Sequence, residues 1–266
     1  MNEFDAILLI GCGNMGGAML AGWLAGGLDP ARFIVVDPLL AEAPAGVTLL
    51  RDLPDNAFDA ILLGVKPQLL GDVAAGVAKL AQSGTLLLSI LAGVELASLA
   101  ARFPDAGGHV RIMPNLAAAI GKSPIALAAK GLDEGAKARV TDLMAPLGTP
   151  EWLGEELFDV VTALAGSGPA FVYRFIDALA AGASALGMPP DQAERLALAM
   201  VEGAGALASA SPHRPGELAR RVASPGGTTE AGLKVLDADA ALTRLAEATL
   251  RAAADRSDEM AKAARE

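Results

Sequence analysis

Three short stretches of the chain combine residue types and spacings that could do chemistry. Gly11-Cys12-Gly13-Asn14-Met15-Gly16 follows the apolar run at residues 6–10 and precedes the helix-compatible Gly17-Ala18-Met19-Leu20, in the order of strand, glycine turn and helix that a dinucleotide fingerprint needs. In that reading Gly11 permits the tight turn, Gly13 lets the backbone approach a pyrophosphate and Gly16 lets helix and strand pack closely, with the helix N-terminus facing the phosphates. Asp37 ends the next β-rich run, about 20 residues on, where a carboxylate is placed to bind the adenosine ribose. Gly64-Val65-Lys66-Pro67-Gln68 closes the run Ile61-Leu62-Leu63. Ligands of open α/β sheets bind beyond the carboxyl ends of strands, which puts Lys66, with Val65 and Pro67 beside it, near the same cleft; an exposed lysine opening a surface loop is the plainer alternative. Two more apolar runs end in Ser89-Ile90-Leu91-Ala92-Gly93 and Arg111-Ile112-Met113-Pro114-Asn115. Asn115 either orients a polar substrate group or caps a turn. The third stretch, Ser224-Pro225-Gly226-Gly227-Thr228-Thr229, sets two glycines beside hydroxyls at a helix start. Such a loop can present free backbone N–H groups to an anion, or serve only as a helix cap with a breaker in front.

The residues that are missing narrow the chemistry. The chain has two histidines, His109 in an apparent strand and His213 beside Pro212, neither with a recognisable partner carboxylate, which argues against a carbonyl reductase with a histidine acid. An imine that is already protonated needs a hydride but no new proton at nitrogen, so positioning and electrostatics suffice for its reduction. No zinc-ligand spacing occurs, and no metal site is expected. The lone Cys12 allows no intramolecular disulfide and agrees with a reducing compartment.

The elements that must position these groups can also be read. Short β-rich runs near 5–10, 32–37, 47–50, 59–65, 85–90, 108–112, 124–129 and 149–152 alternate with helical stretches near 14–27, 68–82, 94–101 and 133–146, the pattern of a parallel sheet with crossover helices. Beyond about residue 158 the strand pattern stops and helices follow, broken at Gly187-Met188-Pro189-Pro190, Ser211-Pro212 and Ser224–Gly227. The expected fold is therefore an α/β doubly wound parallel sheet of Rossmann type over residues 1–157, followed by an all-α domain over 158–266. The stretch 168–187 is apolar or small on several faces, so a second subunit is expected to cover it. The mixed-charge tail from Arg251 reads as the end of a solvated helix that frays. A net charge of −10 argues against nucleic-acid binding, which needs a cationic surplus. Asp5, Arg174 and Asp177 interrupt the most apolar runs before they reach spanning length, and the acidic Met1–Asp5 start lacks the positive charge of a secretory signal; neither a membrane span nor export is expected, and the cytosol is the expected location.

Taken together, these stretches resemble the pyrroline-5-carboxylate reductase family over nearly the whole chain. The carriers are Gly11–Gly16, Val65-Lys66-Pro67-Gln68, Met113-Pro114-Asn115, Ala165-Gly166-Ser167-Gly168-Pro169-Ala170-Phe171 and Val222-Ala223-Ser224-Pro225-Gly226-Gly227-Thr228-Thr229, the last two being the most specific. The resemblance implies reduction of the cyclic imine 1-pyrroline-5-carboxylate to L-proline, with NADPH or NADH as cofactor. It implies a helical dimerisation domain, with dimers often assembled into decamers and sites shared between subunits. It also implies that Ser224, Gly226, Gly227, Thr228 and Thr229 bind the substrate carboxylate, with the Thr229 hydroxyl on the ring nitrogen. One departure stands out: Leu116-Ala117-Ala118 follows Asn115 where the family commonly has Thr-Pro-Ala. Two rival readings fit less well. A hydroxyacid or ketopantoate type of dehydrogenase places a lysine on a second-domain helix, and Lys234, the only lysine between residues 138 and 260, does not fit that pattern. A non-catalytic dinucleotide sensor has no need of the anion loop.

Overall fold

The computed structural model describes residues 4–263. Two compact units are present: one consists of residues up to Gly166 together with those from Ala252 on, the other of Ser167–Arg251.

The first unit is built on eight strands, β1 (Ile7–Ile10), β2 (Phe33–Val36), β3 (Thr48–Leu50), β4 (Ala60–Leu63), β5 (Leu86–Ser89), β6 (Gly108–Met113), β7 (Ser123–Lys130) and β8 (Gly148–Trp152). Their order across the sheet is β3-β2-β1-β4-β5-β6-β7-β8. After β1 the chain moves outward to β2 and β3, then returns to the other side of β1 for β4. The reversal creates a switch point between β1 and β4, where ligands of such sheets bind.

Burial alternates along each central strand because successive side chains leave opposite faces. Ile7 and Leu9 join Phe33, Leu62 and Leu88 in one core, while Leu8 and Ile10 join Ile61, Leu63 and Leu87 in the other. The first face is covered by α1 (Asn14–Ala25), through Met19, Leu20 and Trp23. The second is covered by α2 (Leu70–Leu80) and α3 (Leu96–Arg102), through Leu70, Val77 and Leu99. A further helix, α4 (Glu134–Met144), returns to the first face through Val140, Leu143 and Met144. Trp23 fixes α1 to this layer by stacking on Phe33 at 5.4 Å and donating from Nε1 to the Leu143 carbonyl at 2.7 Å.

The doubly wound sheet expected from the sequence is present, with one correction: β7 runs antiparallel to β6. A parallel return needs a crossover of roughly a dozen residues or more. Residues 114–122 hold only a short 3-10 turn, Leu116–Ile120, so the next strand has to run back. The β7–β8 pair is parallel again, because α4 supplies the crossover.

His109 on β6 is buried, with Nε2 3.0 Å from the Phe103 carbonyl. Burial, with a contribution from the Lys130 charge, lowers its pKa from 6.5 despite the bond to Phe103, which acts the other way. The unfolded chain therefore binds a proton near pH 6.5 that the folded protein refuses until a lower pH. Stability is then expected to fall as the pH drops from about 6.5 through the depressed value. Urea midpoints measured between pH 7 and 5 test this; a His109→Gln protein with the same slope as wild type would remove His109 as the cause.

Residues past the sheet form a short helix, α5 (Phe158–Val161), and a π turn, Thr162–Gly166. In the second unit α6 (Gly168–Ala185) packs on α7 (Pro190–Ala210) through the small residues Ala180, Ala193 and Ala197. The remaining helices are α8 (Pro215–Val222), α9 (Thr228–Asp237) and α10 (Ala241–Ala263), whose last turns belong to the first unit. Tyr173, Leu196, Leu207 and Val235 stay exposed, a set of apolar faces that a single chain leaves uncovered. The tail differs from expectation: Ser257 and Ala261 are buried, so the helix is packed there rather than solvated. No helix among the described residues is long and apolar enough to cross a membrane.

Candidate active site

The glycine turn after β1 is shaped by contact with the end of β4. Gly11 has φ 84°, and a Cβ on it would lie 2.9 Å from the Val65 amide nitrogen, so both its conformation and the close approach require glycine. A Cβ on Gly16 would meet the Gly11 carbonyl at 2.9 Å. Gly13, in contrast, faces open space with no atom within 4 Å of a Cβ. It caps α1 without a side-chain hydrogen bond, leaving the amides of Asn14, Met15 and Gly16 without an intrahelical partner. Open space over uncapped amides is the cradle that a pyrophosphate fills.

Asp37, at the end of β2, turns toward this loop. Its Oδ2 accepts from the Cys12 amide at 2.8 Å, and Oδ1 accepts from the amides of Leu39 and Leu40 at 2.8 and 3.1 Å. Partial burial raises the pKa, but these donations and the nearby Arg51 charge outweigh it and hold the carboxyl below its ordinary 3.8. The group is ionised and acceptor-only. Arg51 Nη1 donates to the carbonyls of Asp37 and Leu40 at 2.6 and 2.7 Å, which fixes a cation at the same corner. Cys12 contributes its amide; its thiol lies in the core, and burial together with the Asp37 charge pushes its pKa above 9.0, so it is no nucleophile. The donor set and the free space fit the adenosine diphosphate half of a dinucleotide.

Val65 and Lys66 follow β4 directly beside β1, and Lys66 is exposed at the N-cap of the 3-10 turn Pro67–Leu69. It forms no ion pair with a described residue. Asn115 follows β6 and is buried. Its Oδ1 accepts from the Ala117 amide and its Nδ2 donates to the Ala165 carbonyl, both at 2.9 Å. Of the two roles open to it in the sequence, the cap is visible; the same side chain also ties the β6 end to the π turn. The 3-10 turn it caps contains Leu116-Ala117-Ala118 and packs on α1 where Gly22 leaves no room for a Cβ beside the Ala118 carbonyl.

The loop before α9 belongs to the second unit. Gly226 has φ 72°, its amide donates to Glu230 Oε2 at 2.6 Å, and the Gly227 amide donates to the Ser224 carbonyl at 2.9 Å. Lys234 pairs with Glu230 at 3.2 Å. Two of the loop's amides are therefore used internally. Gly227 caps α9 without a side-chain bond and its carbonyl takes the Ala231 amide, so the amides of Thr228, Thr229 and Glu230 are the ones left for an anion. The Thr229 side chain is half-buried, and its hydroxyl bonds to no described residue.

Sequence reasoning missed the group that ties β6 to the segment after β8. Arg111 is 4% exposed on β6, stacks over Phe158 at 4.5 Å and donates to Glu155 Oε1 at 3.2 Å. The same oxygen accepts from the Leu96 amide at 2.7 Å. An arginine between Val110 and Ile112 in a β-rich run was the signal for it. His213 also has a partner after all: from the bend ahead of α8 its Nδ1 lies 3.1 Å from Glu217 Oε1 in the helix's first turn. Among the described residues no cluster of metal-ligand type exists.

Residues 155–260 match the family model described as pyrroline-5-carboxylate reductase dimerisation, and residues 6–93 match NADP oxidoreductase coenzyme F420-dependent. The chain is 36% identical to the pyrroline-5-carboxylate reductase of Methanosarcina acetivorans, covering 98% of this chain and 99% of the relative. It is 34% identical to that of Pseudomonas aeruginosa, covering 96% and 97%. The solved pyrroline-5-carboxylate reductase of Coxiella burnetii superposes with a TM-score of 0.90 at 30% identity, covering 97% of this chain and 98% of that one.

Proposed function

Because the chain belongs to the pyrroline-5-carboxylate reductase family, we propose that its two uncapped helix starts divide the reaction between them. The enzyme reduces 1-pyrroline-5-carboxylate to L-proline with NAD(P)H. In this reading the loop Gly11–Gly16 takes the pyrophosphate on the α1 amides, Asp37 takes the adenosine ribose, and Val65, Lys66 and Pro67 border the nicotinamide half. The cofactor, when bound, supplies a hydride to the imine carbon. The Thr228 and Thr229 amides hold the substrate carboxylate, and the Thr229 hydroxyl accepts from the protonated ring nitrogen. That nitrogen already carries its proton and becomes the secondary amine of proline when the carbon receives hydride, so no general acid is required of the chain.

The observation that carries this reading is the free amides at the start of α9, those of Thr228 and Thr229 foremost, which let a strongly acidic protein bind a carboxylate without an arginine. Loss of NAD(P)H absorbance on addition of 1-pyrroline-5-carboxylate, with proline as product, is the expected result. A protein that binds the dinucleotide but leaves the imine untouched would refute it.

The exposed apolar faces of the second unit and the match of residues 155–260 to the dimerisation model support a dimer; the larger form in this reading is a pentamer of dimers, and its location the cytosol. Sedimentation is expected to give a dimer or a multiple of it; an active monomer that persists on dilution contradicts the reading.

A further inference from the structure

Within the first unit the last turns of α10 meet the rest of the fold at two places. At one, the β5–α3 connection forms a turn closed by the Val94 amide donating to the Leu91 carbonyl at 3.3 Å. Gly93 stands third in this turn with φ 76°, the conformation a type II turn requires there. A Cβ on Gly93 would lie 3.2 Å from both the nitrogen and the Cα of Ala261, and Ala261 is 3% exposed. The helix backbone thus sits directly on the turn. On its other side the turn is anchored by Leu91 and Val94 in the sheet core. At the second place Ser257 Oγ donates to Asp159 Oδ1 at 2.7 Å. Asp159 lies on α5, just ahead of the π turn that Asn115 holds.

We infer that the segment 252–263 is a positioning element for the cofactor: it clamps the β5–α3 turn and α5 so that the wall facing the nicotinamide half is formed before the dinucleotide arrives. Strands β4 and β5 end side by side, with Leu63 opposite Ser89. Pro67 and Gln68 after β4 share an open cleft of about 550 Å³ with Gly93, Glu95, Arg256 and Met260. The segment acts through Gly93 and Asp159 and need not touch the cofactor itself. A turn held from both sides has little conformational freedom left to lose on binding, whereas a released one must be ordered at the expense of affinity. The inference rests on the cofactor site proposed above.

Ala261→Arg drives a long side chain between helix and turn. It is expected to weaken NAD(P)H binding about tenfold, read as the dissociation constant from fluorescence titration, with KM for 1-pyrroline-5-carboxylate held within about twofold. Ser257→Ala removes one hydrogen bond and is expected to weaken binding about threefold, while Ala261→Ser retains wild-type affinity. Should the arginine variant not fold, Ser257→Ala carries the test. A dissociation constant unchanged in Ser257→Ala, or a rise in KM for the imine as large as the loss of cofactor affinity, overturns the inference. The titration needs no substrate, so a wild type that binds cofactor and fails to reduce the imine counts against the proposed function and not against the clamp.

Discussion

Asp37→Ser is expected to move the ratio of kcat/KM values toward NADPH by about tenfold or more, from a wild type that uses NADH at least as well as NADPH. Both oxygens of the wild-type carboxylate already accept from backbone amides of Cys12, Leu39 and Leu40, and the group is held ionised. It can accept from a ribose 2′-hydroxyl, but a 2′-phosphate brings further acceptors and negative charge against it. In a partly screened cleft the repulsion is worth about 1–3 kcal/mol. Arg51 sets the size of the shift. Its Nη1 is fastened to the Asp37 and Leu40 carbonyls, so in the serine variant its charge stays at that corner with no carboxylate to offset it. The double variant Asp37→Ser, Arg51→Ala is accordingly expected to lose most of the gain with NADPH. Steady-state kinetics with both cofactors at one ionic strength decide the matter; a strong NADPH preference in the wild type would show that Asp37 does not face the ribose.

Thr229→Ala is expected to lower kcat/KM for 1-pyrroline-5-carboxylate by about tenfold to a hundredfold, the loss of one or two hydrogen bonds to the transition state. Thr229 stands in the first turn of α9, with its hydroxyl bonded to no described residue and its amide among those left free by the Gly227 cap. Alanine keeps the amide and removes the hydroxyl with the γ-methyl, so KM for the nicotinamide cofactor should not move. Thr229→Ser, which restores a hydroxyl, should recover most of the rate. Equal losses in the alanine and serine variants would point to packing of α9 and remove the hydroxyl from the mechanism.

The amino-acid sequence by itself determined the strands, the crossover helices and the glycine turn, because these are set by local patterns. Apolar runs such as Ile7–Ile10 and Ala60–Leu63 are buried on both faces, so they read as unbroken hydrophobic segments between Gly, Pro and Asp. Gly11 and Gly16 were legible for a similar reason, since backbone conformation and close approach tolerate no other residue there. The direction of β7 was decided by the connection of residues 114–122, a matter of reach across the sheet rather than of propensity. What only the tertiary structure decided are partnerships between distant residues. Asn115 is committed to Ala165, Arg51 joins Asp37, and Arg111 pairs with Glu155. The tail shows the reason most clearly: residues 252–262 are as charged as any solvated helix end, yet Ser257 and Ala261 are buried, and at Ala261 this is because Gly93, far away in sequence, turns with a positive φ and leaves room for the helix backbone. A hydrophobic pattern reports which face of an element is buried; which distant backbone covers it depends on shape, and shape is complete only after the chain has folded.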